Sequence, residues 1–137
     1  MFTHLHSVPV FVTDQARALR FFNELLGFEI TMDAGDERFR WLTVAPKKDS
    51  ETSLQLFQVS PGGRYGSPDW ADRVGKHTGY VFYCEDIQKT YEELSEKGVR
   101  FTVAPQRQDW GGVEGTFVDP DGNGFELVEQ PKIRVMK

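Results

Sequence analysis

Cysteine is nearly absent from this chain of 137 residues, and long hydrophobic runs are absent altogether. Cys84 is the single cysteine, which excludes an intramolecular disulfide and a thiolate metal cluster and suits a reducing cytoplasm. No segment approaches the roughly 18 consecutive apolar residues that a membrane-spanning helix requires, and the N-terminus lacks a basic segment followed by an apolar one. We therefore expect a cytoplasmic protein that has no membrane partner.

Positive charge is also scarce, because 16 basic side chains face 21 acidic ones and leave a formal net charge of −5. Such a balance repels phosphate backbones, so we expect no nucleic-acid partner. Catalytic signatures are missing too: the sequence shows no Ser-His-Asp order, no phosphate-binding glycine loop and no zinc-binding helix with two histidines. Aromatic residues, at 13% of the chain, are instead abundant, and some rings are expected to line a ligand site.

The chain has an internal repeat with the order strand, helix and three strands. The predicted elements are strand 7–13, helix 14–27 and strands 28–33, 38–46 and 52–60, then strand 78–85, helix 86–98 and strands 100–105, 111–119 and 124–130. Asp14 and Asp86, the predicted helix N-caps, are 72 residues apart, and the helix-ending Gly27 and Gly98 are 71 apart. The sequence therefore predicts two equivalent β-α-β-β-β modules.

We expect these modules, 1–60 and 77–130, to form a single domain over 1–137, with 61–76 as the connector. The helix of each module covers one face of its sheet, and the other face needs a partner. Pairing the two modules predicts an α+β fold with a curved, cup-shaped mixed sheet and the helices outside. The hollow of that sheet is the expected site for a ligand.

Several segments resemble the vicinal oxygen chelate superfamily, which includes glyoxalases, extradiol dioxygenases and bleomycin resistance proteins. They are SVPVFVTD, ELLGFE, SLQLF and, most specifically, FVDPDGNGFELVE. The resemblance covers nearly the whole chain. It implies a glyoxalase-like domain with a cup-shaped site, a homodimer or pseudo-dimer and, in many of the enzymes, one divalent metal.

The metal positions of that superfamily are only half matched here. The two histidine positions correspond to Ser7 and Gly79, which cannot replace imidazole, whereas Gln55 and Glu126 match the oxygen ligands in type. We therefore expect no metal and no other cofactor. The alternative is a metal-dependent lyase, isomerase or dioxygenase that uses Gln55, Glu126 and His77, since His77 shares the strand face of Gly79. Glu126 is also a candidate general base or, equally, a carboxylate bonded to Gln55.

The bleomycin-resistance branch implies a different function, in which a dimer holds a flat cationic drug between aromatic rings without altering it. Strand alternation and loop position indicate which rings are available. The predicted ligand-binding residues are Ser7, Phe11, Trp41, Gln55, Phe57, His77, Tyr83 and Trp110. We expect this protein to bind a small organic molecule as a homodimer, and the sequence leaves open whether it also transforms that molecule.

Overall fold

A computed structural model of the chain describes residues 1–60, 62–63 and 69–130. It confirms the predicted α+β class, with two four-stranded mixed sheets and two α-helices in the described ranges. The elements are β1 (Ser7–Val12), α1 (Gln15–Leu19), a π-helical segment (Arg20–Leu25), β2 (Glu29–Gly35), β3 (Arg40–Ala45), β4 (Ser53–Gln58), a 3-10 helix (Ala71–Arg73), β5 (His77–Cys84), α2 (Ile87–Glu96), β6 (Arg100–Arg107), β7 (Val113–Val118) and β8 (Gly124–Glu129). None of the helices described is long and apolar enough to cross a membrane.

The chain divides into two compact units. Unit 1 comprises Met1–Lys76 and Pro120–Asn123, and unit 2 comprises His77–Asp119 and Gly124–Lys137. Sheet 1 of the first unit has the strand order β1-β4-β3-β2, and sheet 2 of the second has the equivalent order β5-β8-β7-β6. The pair β1–β4 in sheet 1 and the equivalent pair β5–β8 in sheet 2 are parallel. The other pairs in both sheets are antiparallel, so the predicted repeat is confirmed. Within the predicted connector and the predicted domain, residues 61, 64–68 and 131–137 lie outside the described residues.

The predicted helix caps are also confirmed. Asp14 Oδ1 accepts a hydrogen bond from the Arg17 amide at 3.1 Å, and Asp86 is the corresponding N-cap of α2. Each side chain satisfies a backbone N–H that has no partner within its helix. Gly27 and Gly98 adopt φ angles of 75° and 94°, in the left-handed region that glycine enters without a Cβ penalty.

The prediction of one continuous α-helix over 14–27 is wrong. The α-helix ends at Leu19, and the following segment is π-helical, with the Leu26 amide donating to the Phe21 carbonyl at 3.1 Å. Phe21 and Phe22 follow one another in this segment, yet both are buried, at 4% and 0% exposure. The wider π turn lets two consecutive rings enter the core, which a strict 3.6-residue period does not anticipate.

Each core lies between a sheet and its helix. In unit 1 the core contains Val10, Val12, Leu42 and Leu56 with the Phe22 ring. In unit 2 the rings of Phe117 and Phe125 stack with their centroids 5.4 Å apart. Tyr91 of α2 packs edge-on against Phe101 of β6 at 4.8 Å. These contacts identify the helix side of each sheet, and we call the opposite side its distal face.

Candidate functional site

The distal face of sheet 1 changes from polar to aromatic along its strands. Ser7 pairs with Ser53 at one end, and Phe11 pairs with Phe57 two pleats further on. Gln55 lies between them, with Pro9 and Thr43 as its partners on the neighbouring strands. Because side chains alternate along a strand, these residues point to the same side. The structure therefore places the predicted site residues Ser7, Phe11, Gln55 and Phe57 on one surface.

Five rings form a cluster on this surface, which we call the aromatic cluster. Its members are Phe11, Phe39, Trp41, Phe57 and Trp70. The central ring belongs to Phe57, whose centroid lies 5.8 Å from Phe11 and 5.2 Å from Trp70. Phe39 bridges to Trp41, with centroid separations of 5.9 Å to Phe57 and 6.2 Å to Trp41. Phe57 is buried, while the other four rings are partly exposed.

Two members of the cluster were missed by the sequence analysis. Phe39 precedes Trp41 by two positions, so strand alternation was a usable signal for it. Trp70 lies outside any periodic segment, and no pattern in the sequence points to it. In the structure Asp69 holds this segment, because its carboxylate accepts hydrogen bonds from the amides of Ala71 at 3.0 Å and Gly62 at 2.9 Å. These two bonds lower the pKa of Asp69.

The turn between β7 and β8 holds the end of β1 in place. Asn123 donates from Nδ2 to the Phe11 carbonyl at 2.9 Å and accepts at Oδ1 from the Gly75 amide at 2.7 Å. Asp121 accepts from the Thr13 amide at 3.0 Å and from Arg17 at 2.7 Å. The DPDGN motif therefore has a physical role: its polar side chains fix the backbone that carries the Phe11 ring.

The polar end of the distal face holds three hydroxyl groups that bond to one another. Thr31 Oγ1 lies 2.7 Å from Thr43 Oγ1 and 2.9 Å from Ser53 Oγ. Thr43 and Ser53 are both buried, so their mutual bonds with Thr31 offset the loss of water. The side chains at this polar end and beside it are thus hydroxyls and one amide, whereas at the aromatic end the Arg73 guanidinium lies over the Phe11 ring, 5.8 Å from its centroid.

Unit 2 brings together two other predicted site residues, His77 and Glu126. His77 Nε2 lies 2.8 Å from Glu126 Oε1, and Thr116 donates to the same oxygen at 3.2 Å. The Gly79 amide donates to His77 Nδ1 at 2.9 Å. A backbone N–H can only donate, so Nδ1 is the acceptor and the neutral ring carries its proton on Nε2, which donates to Glu126. Hydrogen bonding of Glu126 within its own unit is therefore to His77 and Thr116.

A bulge in β5 brings the His77 side chain within hydrogen-bonding distance of Glu126. The register between β5 and β8 shifts between His77 and Val81, and Gly79 adopts a φ angle of 78° there. The glycine that replaces one expected histidine thus allows a bulge that directs the earlier His77 towards Glu126.

These donors do not fit a resident divalent metal. Both ring nitrogens of His77 are used in bonds to Gly79 and Glu126, and the two superfamily histidine positions hold Ser7 and Gly79. Among the described residues no group of three or more His, Cys, Asp or Glu side chains is placed to hold a metal ion. A transition ion prefers several nitrogen or charged oxygen ligands, and this site offers one imidazole that is already bonded and one carboxylate whose Oε1 accepts two protein hydrogen bonds.

The remaining predicted site residues, Tyr83 and Trp110, belong to unit 2. Tyr83 is exposed on β5, and none of the ring contacts recorded for the described residues involves it. Trp110 lies in the loop between β6 and β7, where its ring covers Gly112 so closely that a Cβ there would fall 2.0 Å from Cη2. Nothing in the structure tests a ligand role for either ring, and both stay predictions.

The fold described above is that of a known group of proteins. The chain matches the Glyoxalase/Bleomycin resistance protein/Dioxygenase superfamily over residues 4–127, and it belongs to that family. This confirms the resemblance seen in the sequence.

Relatives of known sequence or structure extend the match over nearly the whole chain. YetH of Bacillus subtilis (strain 168) is 38% identical over 134 residues, which cover 94% of this chain and 100% of that protein. A crystal structure of a superfamily member from Sphaerobacter thermophilus DSM 20745 matches with a TM-score of 0.78 and 34% identity, covering 94% of this chain and 98% of the other. TnmS3, an antibiotic binding protein from Streptomyces sp. CB03234, matches with a TM-score of 0.75 and 32% identity, covering 96% and 98% of the two chains.

Proposed function

We propose that this protein binds a planar organic molecule against the aromatic cluster of unit 1 and releases it unchanged. The observation that carries the proposal is the cluster itself, in which three partly exposed rings contact the buried ring of Phe57 and a fourth, that of Trp41, contacts Phe39. Ring pairs in such geometries contribute about 0.5–1.5 kcal/mol beyond the area they bury, so stacking a flat ligand on them is favourable. The similarity to TnmS3, an antibiotic binding protein, supports the same class of function.

Binding without conversion is favoured by the chemistry of the surface. The distal face of sheet 1 carries hydroxyls, the Gln55 amide and rings, none of which is a strong acid or base near neutral pH. The alternative, a metal-dependent enzyme using Gln55, His77 and Glu126, lacks support because the donors do not fit a metal. The candidate role of Glu126 as a general base stays a proposal, and its test is whether Glu126→Gln loses turnover of a bound molecule while binding to the aromatic cluster is kept.

The experiment is a titration of the purified protein with phenanthrene, a flat and uncharged probe, followed by quenching of tryptophan fluorescence. We expect saturable binding that Trp41→Ala and Trp70→Leu each weaken about fivefold or more, because each removes a stacking partner. Phe2→Ala is the control, since Phe2 is a fully exposed ring outside the cluster. Absence of saturable quenching, or an equal loss in the Phe2 variant, would contradict the proposal.

A matched set of tryptophan variants locates the bound probe. The chain has three tryptophans, of which Trp41 and Trp70 belong to the cluster and Trp110 lies in the β6–β7 loop. Trp41→Phe and Trp70→Phe should each remove the part of the quenchable emission that comes from the replaced tryptophan. Trp110→Phe tests the separate prediction that this loop ring closes over the ligand, and it should remove quenchable signal only if that prediction is right.

We also propose that the protein is a homodimer in the cytoplasm. The distal face of sheet 2 exposes three apolar side chains, Val81 (54%), Tyr83 (64%) and Val103 (43%). Val81 and Tyr83 lie on β5 and Val103 lies on β6, the two edge strands of the sheet, and exposed apolar groups on one sheet face are typical of an interaction site. The cytoplasmic location rests on the single cysteine, Cys84, and is tested by cell fractionation.

A further inference from the structure

We infer that Gln55 recognises a neutral group of the ligand that both donates and accepts a hydrogen bond, such as a lactam, amide or imide. The inference rests on the proposed function and names the ligand class of the same site. The ligand would then have two parts: a flat ring system on the aromatic cluster and a donor–acceptor group about one strand pleat away.

The first observation is the unused bonding capacity of the Gln55 side chain. Gln55 is only 9% exposed, yet none of the hydrogen bonds found among the described residues involves its amide group. Among the described residues, every side-chain nitrogen or oxygen that is fully shielded from solvent has a hydrogen-bond partner. Because the Gln55 amide has no such partner, its nitrogen and oxygen both keep some accessible surface. A nearly buried amide that no protein group satisfies is a ready partner for a ligand with matching donor and acceptor groups.

The neighbours of Gln55 indicate that its partner is uncharged. Pro9 and Thr43 flank it on adjacent strands, and Ser53 and Phe57 precede and follow it on the same face of β4. The Thr43 and Ser53 hydroxyls are already bonded to Thr31. A charged group placed beside Gln55 would lose water without gaining an opposite charge from these neighbours, since the cation nearest the cluster, Arg73, lies over the Phe11 ring instead.

The spacing sets the shape of the ligand. Residues two positions apart on a strand are about 6.6 Å apart, so the backbone positions of Gln55 and Phe57 are separated by a distance that a flat tricyclic ligand spans. A primary amide offers N–H and C=O side by side, and a lactam offers the same two groups in reverse. The two can form a pair of antiparallel hydrogen bonds while the rest of the ring system stacks on the cluster.

The test compares phenanthridinone, a flat tricyclic lactam, with phenanthrene, a hydrocarbon of the same shape. Binding to the wild type and to Gln55→Leu is measured by calorimetry. Because two neutral hydrogen bonds are lost, we expect the variant to bind phenanthridinone about tenfold more weakly and to bind phenanthrene at least as well as the wild type. Gln88→Leu, a glutamine exposed on α2, is the matched control and should change neither affinity.

A second variant keeps the test decisive if the leucine variant folds poorly. Gln55→Glu preserves the shape of the side chain but replaces the donor with a negative charge. It should weaken phenanthridinone binding and strengthen binding of N-methylphenanthridinium, a flat cation. Thermal melts establish that each variant is folded before affinities are compared.

The outcomes separate the two proposals. If phenanthrene binds to the aromatic cluster but both Gln55 variants keep the wild-type preference between the probes, the role of Gln55 is wrong and the proposed function stands. If none of the three probes binds saturably to the wild type, both are wrong.

Discussion

The bond pair of Asn123 allows a sharp test of how the β7–β8 turn supports the site. Its side chain is 1% exposed and bonds to two distant backbone groups, the Phe11 carbonyl and the Gly75 amide. In Asn123→Ala both bonds are lost and a small cavity remains. The Phe11 carbonyl is the more enclosed partner, whereas Gly75 is exposed and regains a bond to water. We therefore expect a loss of about 2–4 kcal/mol in the free energy of unfolding.

Urea denaturation measures this loss, with the slope of the transition checked for constancy. For a domain of this length each kcal/mol lowers Tm by about 3–4 °C, so the melting temperature should fall by about 6–16 °C. Asn23→Ala is the matched control: Asn23 also bonds to a backbone carbonyl, that of Phe28 at 2.7 Å, but its side chain is exposed and water replaces the bond. Its cost should be under about 1 kcal/mol.

The same variant links stability to binding. Because Asn123 fixes the backbone of Phe11, Asn123→Ala should also weaken phenanthrene binding, whereas Asn23→Ala should not. If the two variants lost equal stability with unchanged slopes, the reasoning about the turn would be refuted.

Further predictions concern a thiol, an aspartate, the dimer and metal binding. Burial is the main cause that raises the pKa of the Cys84 thiol, so its reaction with iodoacetamide near neutral pH should be slower than that of glutathione and should rise steeply with pH; a faster reaction would contradict this. Because the pKa of Asp69 is lowered in the folded protein, its hydrogen bonds to Ala71 and Gly62 are formed above the ordinary carboxyl pKa. They are lost as pH falls through the pKa that Asp69 has in the folded state. Asp69→Asn should therefore weaken phenanthrene binding at pH 7 and remove its acid dependence. Light scattering of the wild type should give twice the chain mass of 15.7 kDa, as expected for a homodimer. Val103→Lys should give the mass of one chain, and a dimer mass in this variant would count against an interface on the distal face of sheet 2. Zn²⁺ added to the purified protein should leave Tm within about 1 °C, because the nitrogens of His77 are engaged; a saturable rise would show a site.

Much of the fold could be predicted from the sequence because it depends on local rules. The caps at Asp14 and Asp86 and the left-handed glycines that end both helices follow from backbone groups that each helix leaves unpaired. Strand alternation correctly placed Phe11 and Phe57 on one face. The π-helical segment was not foreseen, because burial of two adjacent rings breaks the period on which the helix prediction depended.

Less of the candidate site could be predicted, since its contacts join residues far apart in the chain. Trp70 reaches the cluster through a segment held by Asp69, with no periodic signal. His77 meets Glu126 through a bulge at Gly79, which alternation alone cannot show. The partners of Asn123 are 112 and 48 residues away.

The sequence by itself determined the repeated module, the helix limits set by its caps and the absence of two expected imidazole ligands, since each follows from residue identity and short spacing. The tertiary structure alone decided which rings form the aromatic cluster, which ring nitrogen of His77 carries the proton and why the Gln55 amide has no protein partner. Those features depend on packing and hydrogen bonds between distant segments, and local propensity contains no information about them.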